Sequence, residues 1–248
     1  MERILILIIS VFCTLFSYSR EYHVSPGGNE NNDGSALKPF KTISEAVKAA
    51  YPGDTITVHS GTYREWINPV RGGESDARRI VYRAAPGERV EIKGSEIITG
   101  WKKEKNGVWK VVIPNSFFGA YNPYQDSIFG DWFYNKGRIH HTGEVFLNGK
   151  SLYEKESIQK VYVPVPDSTI RDREGSTYTW YCESNADNTT IWANFHKFNP
   201  NRELTEISTR RTCFYPEKPG INYITVNGFI ISQAATQWGA PTAGQVGM

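Results

Sequence analysis

The chain has 248 residues, of which 39% are hydrophobic and 13% aromatic, so it is long enough to bury a sizeable core in one or two domains. Its formal net charge is +2, and its basic residues, including the Arg210-Arg211 pair, are interpreted as solvated surface. These features argue against a nucleic-acid partner.

Residues 1–19 have the pattern of an export signal. A positive segment, Met1–Arg3, precedes an apolar run from Ile4 to Phe16, and Ser17–Ser19 supplies small residues for cleavage. The apolar run is shorter than the ~20 residues that span a bilayer, which disfavours a transmembrane helix. Cys13 follows bulky residues where lipid attachment needs small ones. We expect a periplasmic or extracellular protein, free of the membrane after cleavage.

The segment Pro39–Glu65 is predicted to form a short helix followed by a buried strand. Thr42 and Glu45 have the spacing of a capping box, and Pro52–Asp54 ends the helix. An amphipathic helix before a strand and a tight turn is typical of the cap on the open end of a solenoid. The helix should place its apolar residues on one face, at Ile43, Ala46, Val47 and Ala50.

The following strands recur at the interval of solenoid coils. Ile56, in the alternating strand Thr55–His59, and Ile80 lie 24 residues apart. Val90–Ile97 and Ile224–Ile231 share a pattern of alternating apolar residues, a glycine and a return to apolar residues, which indicates a weak internal repeat.

Four segments resemble the N-terminal cap of right-handed parallel β-helix carbohydrate-active enzymes. The resemblance implies an all-β fold, a right-handed parallel β-helix of the pectate-lyase-like kind with an N-terminal capping helix. The segments are Tyr22–Gly28, Asn32–Gly34, Pro39–Ile43 and Pro52–Thr55.

Between the two repeat segments the pattern changes to short alternating strands, with Asn148-Gly149 as a strong hairpin signal. We predict an antiparallel β-sandwich inserted at residues 98–212, between the cap and first coils at 20–97 and a resumed β-helix at 213–248. The predicted strands are Val108–Ile113, Val145–Tyr153, Lys160–Val163, Thr177–Glu183, Thr189–Asn194 and Leu204–Ser208.

After Ile231 the sequence contains no further coil pattern and no cap. A solenoid that stops on an open coil exposes its core and its strand edges. We therefore expect a β-helix truncated at its C-terminus, the front part of a longer protein.

Cysteines and histidines give no signal for a metal or a cofactor. Cys182 and Cys213 remain after signal removal, and spacing alone leaves both a single disulfide and two separate buried thiols open. His140, His141 and Glu144 resemble a metal cluster, but they lie in an expected loop without the helical spacing of a zinc motif. We predict neither a metal site nor a cofactor.

A set of segments in the same order resembles the N-terminal part of glycoside hydrolase family 120 β-xylosidases. The resemblance covers nearly all of the mature chain and implies a parallel β-helix with an intervening β-sandwich. The segments are Thr62–Trp66, Ile92–Glu96, Pro114–Gly119, Asn122–Tyr124, Phe129–Trp132, Val145–Gly149, Ile191–Phe195, Arg211–Pro216, Tyr223–Val226 and Ala234–Trp238.

The resemblance also implies retaining hydrolysis of a β-xyloside by an aspartate nucleophile and a glutamate acid/base, roughly 5 to 5.5 Å apart. In the family both residues lie in later β-helix coils, so no catalytic residue is assigned in this chain. The acids present here show no spacing that would form such a pair, and we expect this segment alone to be inactive.

Three residues are predicted to contact the sugar. By resemblance, Trp132 is expected to reach from the sandwich towards the sugar, although a core tryptophan is the alternative. Asp131 would support Trp132 or cap a turn, and Trp238 would lie at the rim or pack internally.

The leading hypothesis is an exported β-xylosidase-like hydrolase that acts on xylo-oligosaccharides. A non-catalytic carbohydrate-binding module and a polysaccharide lyase-related protein are the alternatives. The oligomeric state is left open.

Overall fold

The computed structural model describes residues 19–130 and 133–235, and this part of the chain is built mainly from β-strands, as predicted. It has two α-helices, α1 at Ile43–Ala49 and α2 at Ile158–Tyr162. The strands in chain order are β1 Glu21–Val24, β2 Thr55–Val58, β3 Gly61–Tyr63, β4 Ile80–Ala84, β5 Val90–Lys93, β6 Ser95–Ile97, β7 Lys102–Lys103, β8 Val108–Pro114, β9 Val145–Leu147, β10 Lys150–Ser151, β11 Tyr153–Glu154, β12 Thr179–Ser184, β13 Asn188–Asn194, β14 Thr205–Ser208, β15 Ile224–Asn227 and β16 Phe229–Ser232.

Helix α1 begins as predicted but is capped by a distant residue as well. The Thr42 hydroxyl accepts a hydrogen bond from the Glu45 N–H at 3.3 Å, whereas the Glu45 carboxylate pairs with Lys48. The N–H groups of the first two helical residues donate to the Glu65 carboxylate, each at 2.9 Å. A negative charge at a helix N-terminus is favourable. The predicted apolar face is buried at Ile43, Ala46, Val47 and Ala50.

The strands before and after the insert, except β6, form two parallel sheets. The first has the order β1-β2-β4-β15 and the second the order β16-β5-β3. Three consecutive strand pairs, β2/β3, β4/β5 and β15/β16, each contribute one strand to each sheet. The apolar side chains of both sheets and of α1 share one core.

The two segments that indicate the internal repeat do not pair start to start. Val90 of β5 pairs with Phe229 of β16, and Ile224 of β15 pairs with Ile80 of β4. The two repeat segments therefore begin in different sheets. Both sheets require the same alternation of inward apolar residues, so a short pattern cannot distinguish one from the other.

Two adjacent glycines in the N-terminal turn give a matched test of close packing. A Cβ on Gly28 would lie 2.4 Å from the carbonyl oxygen of Phe40 and 2.5 Å from that of Pro39. A Cβ on Gly27 would meet nothing nearer than 3.9 Å. We expect Gly28→Ala to lower the free energy of unfolding by about 1–3 kcal/mol, and Gly27→Ala to change it by less than about 0.5 kcal/mol. Urea denaturation measures both, and equal effects would contradict this packing.

The insert contains two sheets, with the orders β10-β9-β14-β6 and β11-β12-β13-β8-β7. Their pairs are antiparallel except β11 with β12, which are parallel. Strand β6 lies before residue 98 but pairs with β14 of the insert. The domain boundaries at 97/98 and 212/213 stay predictions. One core joins the sheets, with Val145, Leu147 and Ile207 from the first and Trp109, Val111, Trp180 and Ile191 from the second.

Two local predictions within the insert have opposite outcomes. The hairpin is confirmed, since Asn148 and Gly149 have φ angles of 52° and 80° between β9 and β10. The predicted strand Lys160–Val163 is wrong, because this segment belongs largely to helix α2. A run of four residues with two apolar positions fits the periodicity of a helix as well as that of a strand. Val161 is buried as a helical residue.

A buried ionic network connects the insert to the second parallel sheet. Glu206 of β14 is fully buried, and its carboxylate accepts hydrogen bonds from Arg64 Nη2 at 2.6 Å and Lys93 Nζ at 3.0 Å. The Ser95 hydroxyl lies 3.3 Å from the same carboxylate. Burial opposes ionisation, but the hydrogen bonds from Lys93 and Arg64 outweigh it and lower the pKa of Glu206.

Cys182 and Cys213 are separate thiols, each buried in a different core, so the disulfide alternative is wrong. Burial raises the pKa of the Cys213 thiol to about 12, which keeps it protonated.

The predicted export signal lies almost entirely outside the described residues. Within 19–130 and 133–235, no helix combines the length and apolar character needed to cross a membrane.

Candidate functional site

The three residues predicted to bind sugar all lie outside the part of the chain that the structure describes. Asp131 and Trp132 fall between its two ranges, and Trp238 follows the second. Their contacts with a sugar stay predictions, and the candidate site is built from described residues.

A cleft of about 680 Å³ lies where the insert meets the parallel sheets, and we call it the junction cleft. Three segments form its walls, one after β3, one after β8 and one after β14. Aromatic rings alternate there with hydroxyl and charged groups, a combination suited to a ligand with apolar faces and polar edges. The lining residues are Trp66, Phe118, Ala120, Tyr121, Thr209, Arg210, Arg211, Thr212, Tyr215 and Glu217.

Trp66 forms one wall and is held by the backbone beside it. Its indole Nε1 donates to the Tyr215 carbonyl oxygen at 2.9 Å. The backbone of Ile67 pairs with Cys213 and Tyr215 at 2.8 and 3.0 Å, which fixes the two segments together. The side chain nevertheless remains 40% exposed. An aromatic face is therefore positioned before any ligand binds, which reduces the entropy lost on binding.

Tyr121 forms another part of the lining. Its hydroxyl lies 2.7 Å from the Thr142 hydroxyl, and it is within donating distance of the Asp126 carboxylate at 3.1 Å and the Ala235 carbonyl at 3.0 Å. Burial raises the pKa of Tyr121 to about 12, so the hydroxyl stays protonated at neutral pH. Tyr121 can act there as a neutral hydrogen-bonding group on an apolar ring.

The two arginines of the cleft have different environments. The Arg211 guanidinium lies 4.5 Å from the centre of the Tyr121 ring, is 60% exposed, and approaches Asp126 no closer than 3.7 Å. Arg210 is mostly buried and forms an ion pair with Glu96. Arg210 is therefore a paired and partly solvated side chain, and its partner lies 114 positions away in the sequence.

Glu217 is the one carboxylate among the described lining residues of the junction cleft. Its N–H donates to the Asn68 side-chain oxygen at 2.9 Å, and the Asn68 amide nitrogen lies 3.4 Å from its carboxylate. A retaining glycosidase needs two carboxyl groups about 5–5.5 Å apart. The described lining supplies groups for binding but not such a pair.

The histidine cluster suggested by the sequence has a different arrangement. His141 Nδ1 lies 2.6 Å from the carboxylate of Glu154, while Glu144 accepts a hydrogen bond from Ser151 at 2.8 Å. The Arg138 guanidinium lies 3.8 Å from the Glu154 carboxylate. Among the described residues, no group of three or more His, Cys, Asp or Glu side chains is placed to hold a metal ion.

Sequence reasoning did not assign Trp66, Tyr121 or Arg211 to a site. A usable signal was present, because Thr62–Trp66 and Arg211–Pro216 are among the segments that carry the family resemblance. Both lie at the junction cleft, as does Phe118 from a third such segment. The convergence of separate segments on one cleft required the fold.

Comparison with family models gives two matches. The model described as "Glycoside hydrolase 120, insertion domain" matches residues 98–207. The model described as "Protein of unknown function (DUF1565)" matches residues 26–69, which include the turn after β1, helix α1 and strands β2 and β3.

Known proteins that are similar to this chain include the following three. The solved complex of XylC with xylose is 45% identical, with a TM-score of 0.85, over 91% of this chain and 37% of that one. The uncharacterized protein YwoF of Bacillus subtilis (strain 168) is 35% identical over 75 residues, 30% of this chain and 16% of YwoF. Pectate lyase PEL9 of Emericella nidulans is 34% identical over 91 residues, 35% of this chain and 22% of PEL9. The chain thus spans less than two fifths of each.

Proposed function

We propose that this chain belongs to glycoside hydrolase family 120, that it corresponds to the N-terminal part of its members, and that it forms part of an exported β-xylosidase acting on xylo-oligosaccharides. The signal-like pattern of residues 1–19 supports export to the periplasm or the medium. The observation that carries the sugar-binding role is the junction cleft, with its fixed aromatic walls and polar edges.

A xylosyl unit suits this cleft chemically. Its ring presents apolar C–H faces, which pack on the exposed face of Trp66, and hydroxyl edges, which need hydrogen-bond partners. Glu217 accepts hydrogen bonds from such hydroxyls and Arg211 donates them. The roles of this chain are to hold the sugar and to orient it.

Hydrolysis itself needs a nucleophile and an acid/base, and in the proposed mechanism both carboxyl groups come from outside the described residues. One carboxylate attacks the anomeric carbon while the other protonates the leaving oxygen and later activates water. We therefore assign this chain a binding role and expect no turnover by the chain alone.

The proposed architecture is a right-handed parallel β-helix carrying the insert. The alternation of consecutive strands between the two parallel sheets supports it, because each coil of such a helix contributes one strand to each face. The direct pairing of β15 with β4 and of β16 with β5 supports continuation of the same coils after the insert.

Isothermal titration of the purified chain with xylotriose tests the binding role. We expect Trp66→Ala to weaken binding about tenfold, because losing about 50 Å² of apolar contact costs about 1.3 kcal/mol. Trp192→Ala is the matched control, since Trp192 is a partly exposed tryptophan that packs on Tyr181, away from the cleft lining.

The same preparation should release no nitrophenol from an aryl β-xyloside. Measurable release would contradict the assignment of a binding role alone. Xylotriose binding that is equal in wild type, Trp66→Ala and Trp192→Ala would contradict the junction cleft as the site.

A further inference from the structure

A second pocket, of about 650 Å³, lies within the insert and shares no lining residue with the junction cleft. The β9–β10 hairpin, β11 and the segment before β12 enclose it, and we call it the insert pocket. Its floor is aromatic and its rim is charged. The residues used below are Tyr153, Tyr178 and Phe198 on the floor and Lys150, Asp172 and Glu174 on the rim.

The aromatic floor is held in place by the fold. The Tyr153 N–H donates to the Tyr178 carbonyl oxygen at 2.8 Å, which joins the two tyrosines across β11 and β12. The Tyr178 ring packs edge-on against His196, with centroids 4.5 Å apart, and lies 6.4 Å from Phe198. Tyr153 is 40% exposed. The pocket therefore offers fixed aromatic surface to a ligand, as the junction cleft does.

The rim carries more negative than positive charge. Asp172 Oδ1 accepts a hydrogen bond from the Gly175 N–H at 2.8 Å, and a Cβ on Gly175 would lie 2.2 Å from Asp172 Oδ2, so a larger residue there would displace this carboxylate. Burial, and then the charge of Glu174, raise the pKa of Tyr178. The Tyr178 hydroxyl therefore stays protonated and can donate a hydrogen bond, while the carboxylates of Asp172 and Glu174 can accept hydrogen bonds. Lys150 is the cation on the rim.

We propose that the insert pocket is a second binding site for a neutral oligosaccharide. Planar carboxylates accept hydrogen bonds from neighbouring sugar hydroxyls, while the aromatic floor packs on the apolar ring faces. The excess of carboxylates repels uronates and phosphates. The choice of a xylo-oligosaccharide rests on the proposed function, and a site here would hold a substrate chain close to the enzyme and raise its effective concentration.

Isothermal titration of the full chain with xylotriose tests this site by its stoichiometry. We expect two sites in the wild-type chain, of which Trp66→Ala weakens one about tenfold and Tyr153→Ala weakens the other, while the double variant weakens both. Tyr134→Ala is the control, because Tyr134 is an 81% exposed tyrosine that lines neither cavity. Should Tyr153→Ala impair folding, Glu174→Ala replaces it, since Glu174 is exposed, and it should weaken the insert site at least fivefold.

The outcomes separate the two proposals. A titration unchanged in Tyr153→Ala and Glu174→Ala but weakened in Trp66→Ala overturns the insert pocket and leaves the junction cleft standing. Binding abolished by Tyr153→Ala and unaffected by Trp66→Ala supports the insert pocket and overturns the cleft, and absence of any binding overturns both. Tetragalacturonate should not compete at the insert pocket, and competition that Tyr153→Ala removes would overturn the assignment to a neutral ligand.

Discussion

Replacing Glu206 by glutamine is expected to lower the free energy of unfolding by about 3–5 kcal/mol, because it leaves two cations without their buried counter-charge. Glu206 is fully buried, and the cations that it binds, Lys93 and Arg64, are 7% and 18% exposed. Glutamine keeps the shape of the side chain but brings an NH₂ donor towards groups that are themselves donors. Urea denaturation monitored by tryptophan fluorescence measures the change.

Glu96→Gln is the matched control for this prediction. Glu96 also forms an ion pair with an arginine, Arg210, but the two side chains are 30% and 24% exposed. Water can solvate the arginine left behind, so we expect a loss of less than about 1 kcal/mol. Similar small losses for Glu206→Gln and Glu96→Gln would contradict the view that the Glu206 network is an essential link between insert and sheets.

The pH dependence provides an independent check. The folded-state pKa of Glu206 is lowered, so its carboxylate contributes stability above the unfolded pKa of about 4.3 and loses that contribution as the pH falls through the folded value. The difference in stability between wild type and Glu206→Gln should therefore be full at pH 7 and shrink below about pH 4. A constant difference down to pH 3 would contradict this assignment.

The Glu206 network also shows why part of the fold was inaccessible to sequence reasoning. Local signals were sufficient for the Thr42 cap, the apolar face of α1 and the Asn148-Gly149 hairpin, since each depends on neighbours a few positions away. The pairing of Arg64 with Glu206 joins positions 142 apart, and no local pattern encodes it. The pairing of the two repeat segments was inaccessible for the same reason, because the pairing partner of a strand is set by the fold.

The candidate site, like the fold, could be predicted only in part from the sequence. The family resemblance already included the segments that carry Trp66 and Arg211, but the sequence could not indicate that both residues line one cleft. Tyr121 carries no sequence signal of its own, and its position depends on contacts with Thr142 and Ala235, the latter 114 residues away. The sugar contacts predicted at Asp131, Trp132 and Trp238 stay predictions.

Replacing Trp180 by alanine is expected to lower the free energy of unfolding by about 3–5 kcal/mol, through loss of buried apolar surface and the cavity left behind. Trp180 is 1% exposed and packs edge-on against Tyr124, with ring centroids 5.6 Å apart. It lies on the core face of β12, in a strand flanked on both sides. Urea denaturation gives the size of the loss.

Trp192→Ala is the control on the neighbouring strand β13, because Trp192 faces away from that core and lies beside Tyr181 and Lys110. We expect it to cost no more than about 1 kcal/mol, and equal losses for the two tryptophans would contradict the assigned faces.

Amide hydrogen exchange then shows which part of the chain Trp180→Ala destabilises. Since the insert and the parallel sheets have separate cores, Trp180→Ala should accelerate exchange in β8, β12 and β13 much more than in β2 and β4. Equal acceleration throughout would contradict this separation and would mean that the two cores unfold as one unit.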